Sequence, residues 1–306
     1  ALRVALNWKR LHLSHKISLP KGVSTSKEIL MNLALYKLIP RALLTKAFYH
    51  LARIEMPPLK NAIIWTYQKI TGADTAFAAE KNPYRYRSLN DFFTRALAAG
   101  ERPIDEEPQA FISPVDGRCA IFGSIEAGQL HQAKTRQYSL AALLNSAKYA
   151  EAFEGGSSVT LYLAPDDYHR IHMPCDARLT AMSFCPGDKH SVAIDLLEHI
   201  PNLFAANERL VCHFDTEFGA MALIMVGALN VSSIETVWHG ELRDSGDNHY
   251  RYSPAKTFKK GEEIGRFNLG STVILCCSED MIDFNNPKLG NGNKIRMGEA
   301  IGTLRL

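Results

Sequence analysis

The pattern of this chain changes character near residue 100, and that change limits the folds open to it. Upstream, apolar residues recur at helical spacing between breakers. Thr25-x-x-Glu28 reads as a capping box, Leu30, Leu33 and Leu38 follow it, and Pro40 interrupts the run. The spacing then predicts a helix over Arg41 to Ile54, stopped by Pro57-Pro58, and another over Leu59 to Ile70, ending near Gly72. Residues 73–88 read as a linker. After it, Ser88-x-x-Asp91 caps a helix carrying Phe92, Phe93 and Leu97 up to Gly100.

From about Phe111 onward the pattern is that of strands and turns. Val159 to Leu163, Leu179 to Phe184, Leu210 to Phe214, Ala220 to Val237 and Thr272 to Cys277 are rich in β-branched or apolar residues. Short helices are expected over Leu140 to Asn145 and Val192 to His199, and a mobile surface loop over the polar stretch Arg243 to Glu263. The expected fold class is therefore α+β: N-terminal amphipathic helices over residues 1–100, then a largely antiparallel β domain over 101–306.

Charge follows the same division. Residues 1–60 hold eleven Lys or Arg against two acids, Glu28 and Glu55, whereas the remainder holds 24 bases against 30 acids. A basic leader on an acidic body points to an anionic partner for the leader alone. Basic amphipathic helices with aromatics such as Phe48 and Trp65 suit a membrane interface, with Lys37, Arg41, Lys46, Arg53, Lys60 and Lys69 between the apolar positions. The same pattern also fits a small helical bundle whose basic groups face water. No run approaches the roughly 18 apolar residues a spanning helix needs. Residues 1–20 lack the compact apolar segment and small-residue cleavage site of a secretion signal. The six cysteines show no C-x-x-C spacing, so reduced, buried thiols are expected.

Four stretches carry groups able to do chemistry: Ser113-Pro114-Val115-Asp116-Gly117, Tyr168-His169-Arg170-Ile171-His172-Met173-Pro174, Phe214-Asp215-Thr216-Glu217-Phe218-Gly219 and Leu269-Gly270-Ser271-Thr272. Glycine before serine leaves the preceding carbonyl open to attack by the hydroxyl, provided that a base takes the proton and the oxyanion is stabilised. Asp116, with His169 or His172, supplies the partners of a Ser/His/Asp set around Ser271. Taken alone, an Asp-Gly pair is usually a turn. His169 and His172, on a helix, would suit a metal together with Asp166 or Asp167, but the β-rich flanks and Pro174 oppose that helix. No metal is expected.

The ordered series of these stretches, with Ser88-Leu89-Asn90-Asp91-Phe92-Phe93-Thr94-Arg95, Arg102-Pro103-Ile104, Asn207-Glu208-Arg209 and Ser233-Ile234-Glu235-Thr236-Val237-Trp238, resembles the phosphatidylserine decarboxylase family over about residues 85–306. The resemblance implies that Ser271 attacks the carbonyl of Gly270, with Asp116 and His172 completing the self-cleavage set. An ester forms and β-elimination then releases a β chain of residues 1–270. Ser271, heading an α chain of residues 271–306, becomes a pyruvoyl group. That group would form a Schiff base with phosphatidylserine, release CO2 and yield phosphatidylethanolamine, with His169 protonating the carbanion.

It further implies a zymogen acting peripherally on the cytoplasmic face of the inner membrane, held to an anionic surface by the basic helices. The α and β chains would stay together, a homodimer is expected from the family, and nucleic acid is not a partner. Glu235 and Lys134 fit either the rim of a headgroup pocket or a structural ion pair. Competing readings are a pyruvoyl-dependent decarboxylase of a soluble amino acid, and a non-catalytic membrane-binding relative.

Overall fold

Breakers and caps set the ends of the helices. The computed structural model describes residues 40–305 except 134, 193–196, 230–232, 243–245, 247, 290 and 291, and of Ser271 the backbone alone. The capping box at Thr25, the basic segment before Pro40 and Lys134 lie outside the described residues. Helix α1 (Arg41–Ala52) starts directly after Pro40. The proline pair expected to stop it instead opens α2 (Pro57–Thr71), since a first-turn N–H has no intrahelical partner to lose. Gly72 closes α2 in the left-handed conformation, at φ 83°. Ser88 caps α3 (Leu89–Phe93) by accepting from the Asp91 N–H at 3.2 Å.

Helix α3 stops at Phe93 rather than running to Gly100. The buried Arg95 turns its guanidinium back onto the carbonyls of Phe92 and Phe93 and reaches the Asp166 carbonyl at 2.9 Å. Carbonyls engaged this way do not need a further helical turn. Ala52, Ile64, Tyr86, Phe92 and Phe93 then form a small apolar core of their own. The stretch expected as a linker contributes to it through Ala73 and Tyr86.

The β body follows. Strands β1 (Ala110–Ile112), β2 (Gly117–Ser124), β3 (Gln129–Ala133) and β4 (Arg136–Ser139) come first, then helices α4 (Leu140–Leu144) and α5 (Ala147–Ala150). Next are β5 (Ser157–Leu163), β6 (Arg170–His172), β7 (Ala177–Cys185), α6 (Leu203–Ala206), β8 (Arg209–Thr216) and β9 (Gly219–Val226). The last part holds β10 (Ser233–Thr236), β11 (Gly240–Leu242), β12 (Asn248–Phe258), β13 (Glu263–Asn268) and β14 (Ser271–Cys277). Strands β15 (Ile282–Asp283), β16 (Lys294–Ile295) and β17 (Ala300–Leu304) complete it.

Eight strands make one antiparallel sheet in the order β12-β7-β8-β9-β14-β5-β2-β16, and four make a second in the order β11-β10-β13-β6. Val273 to Cys277 of β14 are fully buried, which explains their unbroken apolar run. All six cysteines are buried and none is in a disulfide.

Two further expectations change. The stretch expected as a mobile loop contains β12, which pairs with β7 from Asn248↔Phe184 to Phe258↔Ala177 across a bulge. It is an edge strand with much of its surface in water, so its polarity hid it. The Val192 to His199 helix is not found among the described residues, where Leu197 to His199 form a turn; Ala193 to Leu196 lie outside them.

Candidate active site

Strand pairing gathers three of the four chemical stretches at one place, whereas Phe214–Gly219 forms the β8–β9 turn at the opposite end of β14, beside Ser278. β6 pairs with β13, so the Tyr168–Pro174 segment lies along the approach to Gly270. The Phe267 N–H donates to the His169 carbonyl at 3.1 Å, and the His172 N–H to the Pro114 carbonyl at 2.9 Å. At Leu269 and Gly270 the chain passes from the four-stranded to the eight-stranded sheet, with φ 81° and 67°. Ser271 then opens β14 opposite Leu163 of β5, and the adjacent Tyr162 faces Arg118 of β2. Asp116 therefore sits at the same strand ends as the Gly270–Ser271 bond. Gly117 makes this approach possible: a Cβ there would collide with the Tyr162 carbonyl oxygen.

His172 donates from Nδ1 to the Gly261 carbonyl at 2.7 Å, which leaves Nε2 to accept from the Tyr168 hydroxyl at 2.8 Å. Burial lowers its proton affinity, and the Asp116 carboxylate acts weakly in the opposite direction. Burial also raises the Tyr168 phenol, so that hydroxyl keeps its proton. His169 is completely buried, with its ring centroid 3.9 Å from that of Phe93, and Nδ1 donates to the Asp167 carbonyl at 2.9 Å. Its Nε2 has no partner, and burial pushes its pKa down to about 3.

Asp116 and His172 are neighbours without bonding each other. The Asp116 carboxylate, 1% exposed, is gripped by Arg102, whose Nε donates to Oδ1 at 2.9 Å and Nη2 to Oδ2 at 2.6 Å. The Met297 N–H adds a third bond at 2.9 Å. A bidentate arginine and a backbone donor hold this buried carboxylate in a fixed orientation. Sequence reasoning missed Arg102 and Tyr168 as site residues, although both lie in the stretches it singled out.

Glu235 fits both readings proposed for it. It lies 3.8 Å from Arg266, and it lines a polar cleft of about 310 Å³ with Arg53, Ser88, Asn90, Arg266 and Asn268. His172 lies in β6 and His169 directly before it, neither on a helix, and no grouping of three or more His, Cys, Asp or Glu among the described residues suits a metal.

Buried imidazoles beside the left-handed entry to β14 make this the candidate site for acid–base chemistry in the antiparallel β body. A family profile described as phosphatidylserine decarboxylase matches residues 89–303. The chain is 43% identical over 273 residues to a phosphatidylserine decarboxylase proenzyme of Methylococcus capsulatus, covering 88% of this chain and 94% of that protein. Proteins of the same name from Acinetobacter baumannii and Azotobacter vinelandii are 41% and 43% identical, each covering 87% of this chain and 93% and 95% of their own lengths. The chain belongs to the phosphatidylserine decarboxylase family.

Proposed function

We propose that this chain is made as a precursor, cuts itself between Gly270 and Ser271, and then decarboxylates phosphatidylserine to phosphatidylethanolamine. The observation that carries the reading is the left-handed Leu269–Gly270 turn, approached by β6 and the His169 before it, at the junction of the two sheets. In this reading His172 Nε2 takes the Ser271 proton once Tyr168 yields that lone pair. Asp116, locked by Arg102, favours the protonated imidazole through its field rather than through a direct bond. Ser271 Oγ attacks the Gly270 carbonyl carbon, and the peptide C–N bond gives way to an ester C–O bond. Removal of the Ser271 Cα proton then expels the Gly270 carboxylate, and the dehydroalanine hydrolyses with loss of ammonia to a pyruvoyl cap.

The surroundings suit such a cap, because His169 Nε2 and Thr272 Oγ1 are buried polar atoms without partners. The pyruvoyl group supplies an electron sink for loss of CO2 from an amine-bearing acid. His169 Nε2, unprotonated in the neutral ring, takes up the proton shed by the incoming substrate amine and returns it to the substrate carbon. The polar cleft beside Asn268 is the proposed seat of the lipid headgroup, whose phosphate and carboxylate suit Arg53 and Arg266.

Lipid reaches this site from a surface, not through a span: no helix among the described residues is long and apolar enough to cross a membrane. Leu43, Leu44, Leu51, Leu59 and Trp65 of α1 and α2 are exposed, beside the exposed Lys46 and Lys69. An apolar face flanked by lysines suits a peripheral position on the anionic cytoplasmic face of the inner membrane. Intact-mass measurement tests the central step. The wild-type chain should give two species, residues 1–270 and a residue 271–306 piece with a pyruvoyl end, and Ser271→Ala a single uncut chain. One uncut wild-type chain in an active preparation would overturn the proposal.

A further inference from the structure

The residue before the cleaved glycine is leucine, yet it adopts φ 81°. Left-handed backbone is unfavourable for a residue with a Cβ, and only surrounding structure can hold it there. Leu269 is 3% exposed, and its side chain belongs to the small core of the helical region rather than to that of the β body. Every other buried member of that cluster comes from residues 52–93, on or beside α1, α2 and α3. The preceding residue is tied to the same unit. Asn90 of α3 donates to Asn268 Oδ1 at 3.0 Å, Asn268 donates to Ser233 Oγ at 2.8 Å, and Arg53, directly after α1, donates to that oxygen at 3.3 Å. On the far side, Ser271 is paired with Leu163. The turn is thus gripped at both ends, by helices upstream and by the sheet downstream.

We infer that the helical region is a clamp for self-cleavage, in which Leu269 and Asn90 are positioning residues that hold the Gly270–Ser271 bond in its strained geometry. The inference rests on the self-cleavage reading and goes beyond it, since α1 to α3 acquire a task apart from lipid docking. Chemically the clamp bears on the first step alone. Attack by Ser271 Oγ exchanges the peptide C–N bond for an ester C–O bond and moves one proton to the freed amine, so no redox partner is involved. A turn held away from relaxed backbone raises the starting amide relative to that ester.

The test follows full-length chains in cell-free synthesis, timing conversion of the 306-residue precursor to the 270-residue piece on a denaturing gel. Leu269→Gly adopts the same φ without strain and leaves the small core, so cleavage should slow about tenfold or more. Leu269→Met keeps the buried side chain and should cleave within about threefold of wild type. Asn90→Ala, which leaves the apolar core intact, should slow cleavage by about threefold or more. Each substitution is repeated in the uncut Ser271→Ala chain, where circular dichroism and the unfolding midpoint confirm that the variant is folded at the assay temperature. A folded Leu269→Gly chain that cleaves at the wild-type rate overturns the inference. If Leu269→Gly does not fold, a wild-type rate in Asn90→Ala overturns it instead. Failure of the wild-type chain to cut at all removes the self-cleavage reading, a result distinct from a cutting enzyme indifferent to its clamp.

Discussion

His169 is neutral because its ring lies wholly inside the protein, against Phe93, with one nitrogen unmatched. Its folded pKa of about 3 lies below the ordinary value of about 6.5, so the unfolded chain takes up the proton first as pH falls. The corresponding stability is complete above about pH 6.5 and is lost progressively toward pH 3, and the lowered His172 acts in the same direction. In the uncut Ser271→Ala chain, the urea midpoint should drop between pH 7 and pH 4.5, and less steeply once His169→Gln is added. Identical slopes would show that His169 does not titrate between the two states. In the wild-type background, His169→Gln should still mature while losing decarboxylation by about 10²-fold or more, since general acid catalysis contributes on that scale. The sequence pointed to Asp116, His169, His172 and Ser271 because chemistry restricts those residue types. It did not point to Arg102 as the group that grips Asp116, since nothing in a sequence says which carboxylate an arginine will reach.

Among the elements, the tightest fit is between β2 and β5. Gly117→Ala would drive a methyl group into the Tyr162 carbonyl, and the next residue along β5, Leu163, is the partner of Ser271. The variant should lose about 2 kcal/mol or more of stability by urea unfolding in the Ser271→Ala background and should mature more slowly in the wild-type background. Unchanged stability and cleavage would mean that the strands can part there without consequence. The buried strands were legible as apolar runs, and α2 as a helix ending at Gly72. Strand β12 was not, because a strand at the sheet edge with one side in water carries the composition of a loop. The end of α3 was equally hidden, as it depends on Arg95 reaching residues about 70 positions away, an interaction with no local signature.

At the scale of the whole molecule, the helical region has an inner face on the turn and an outer face that is strongly apolar. Leu43 is 66% exposed and Trp65 52% exposed. Three of the basic side chains expected to face lipid are occupied within the protein: Arg41 with Asp188, Arg53 with Glu241, and Lys60 with the Tyr84 carbonyl. The apolar groups should therefore matter more for docking than the count of charges suggests. Leu43→Glu combined with Trp65→Glu should weaken sedimentation with anionic vesicles by about tenfold or more, while precursor maturation stays intact. Equal sedimentation would place the docking surface elsewhere.

Strand β14 is hydrogen-bonded on both flanks, to β5 and to β9. A scission just ahead of it would leave the first strand of the short piece stitched into the middle of the great sheet, with only its first atom newly free. The reactive carbonyl would inherit the address of the peptide bond it replaced, needing no docking step of its own. Covalent continuity could be surrendered at that point without any loosening of the framework that aims the chemistry.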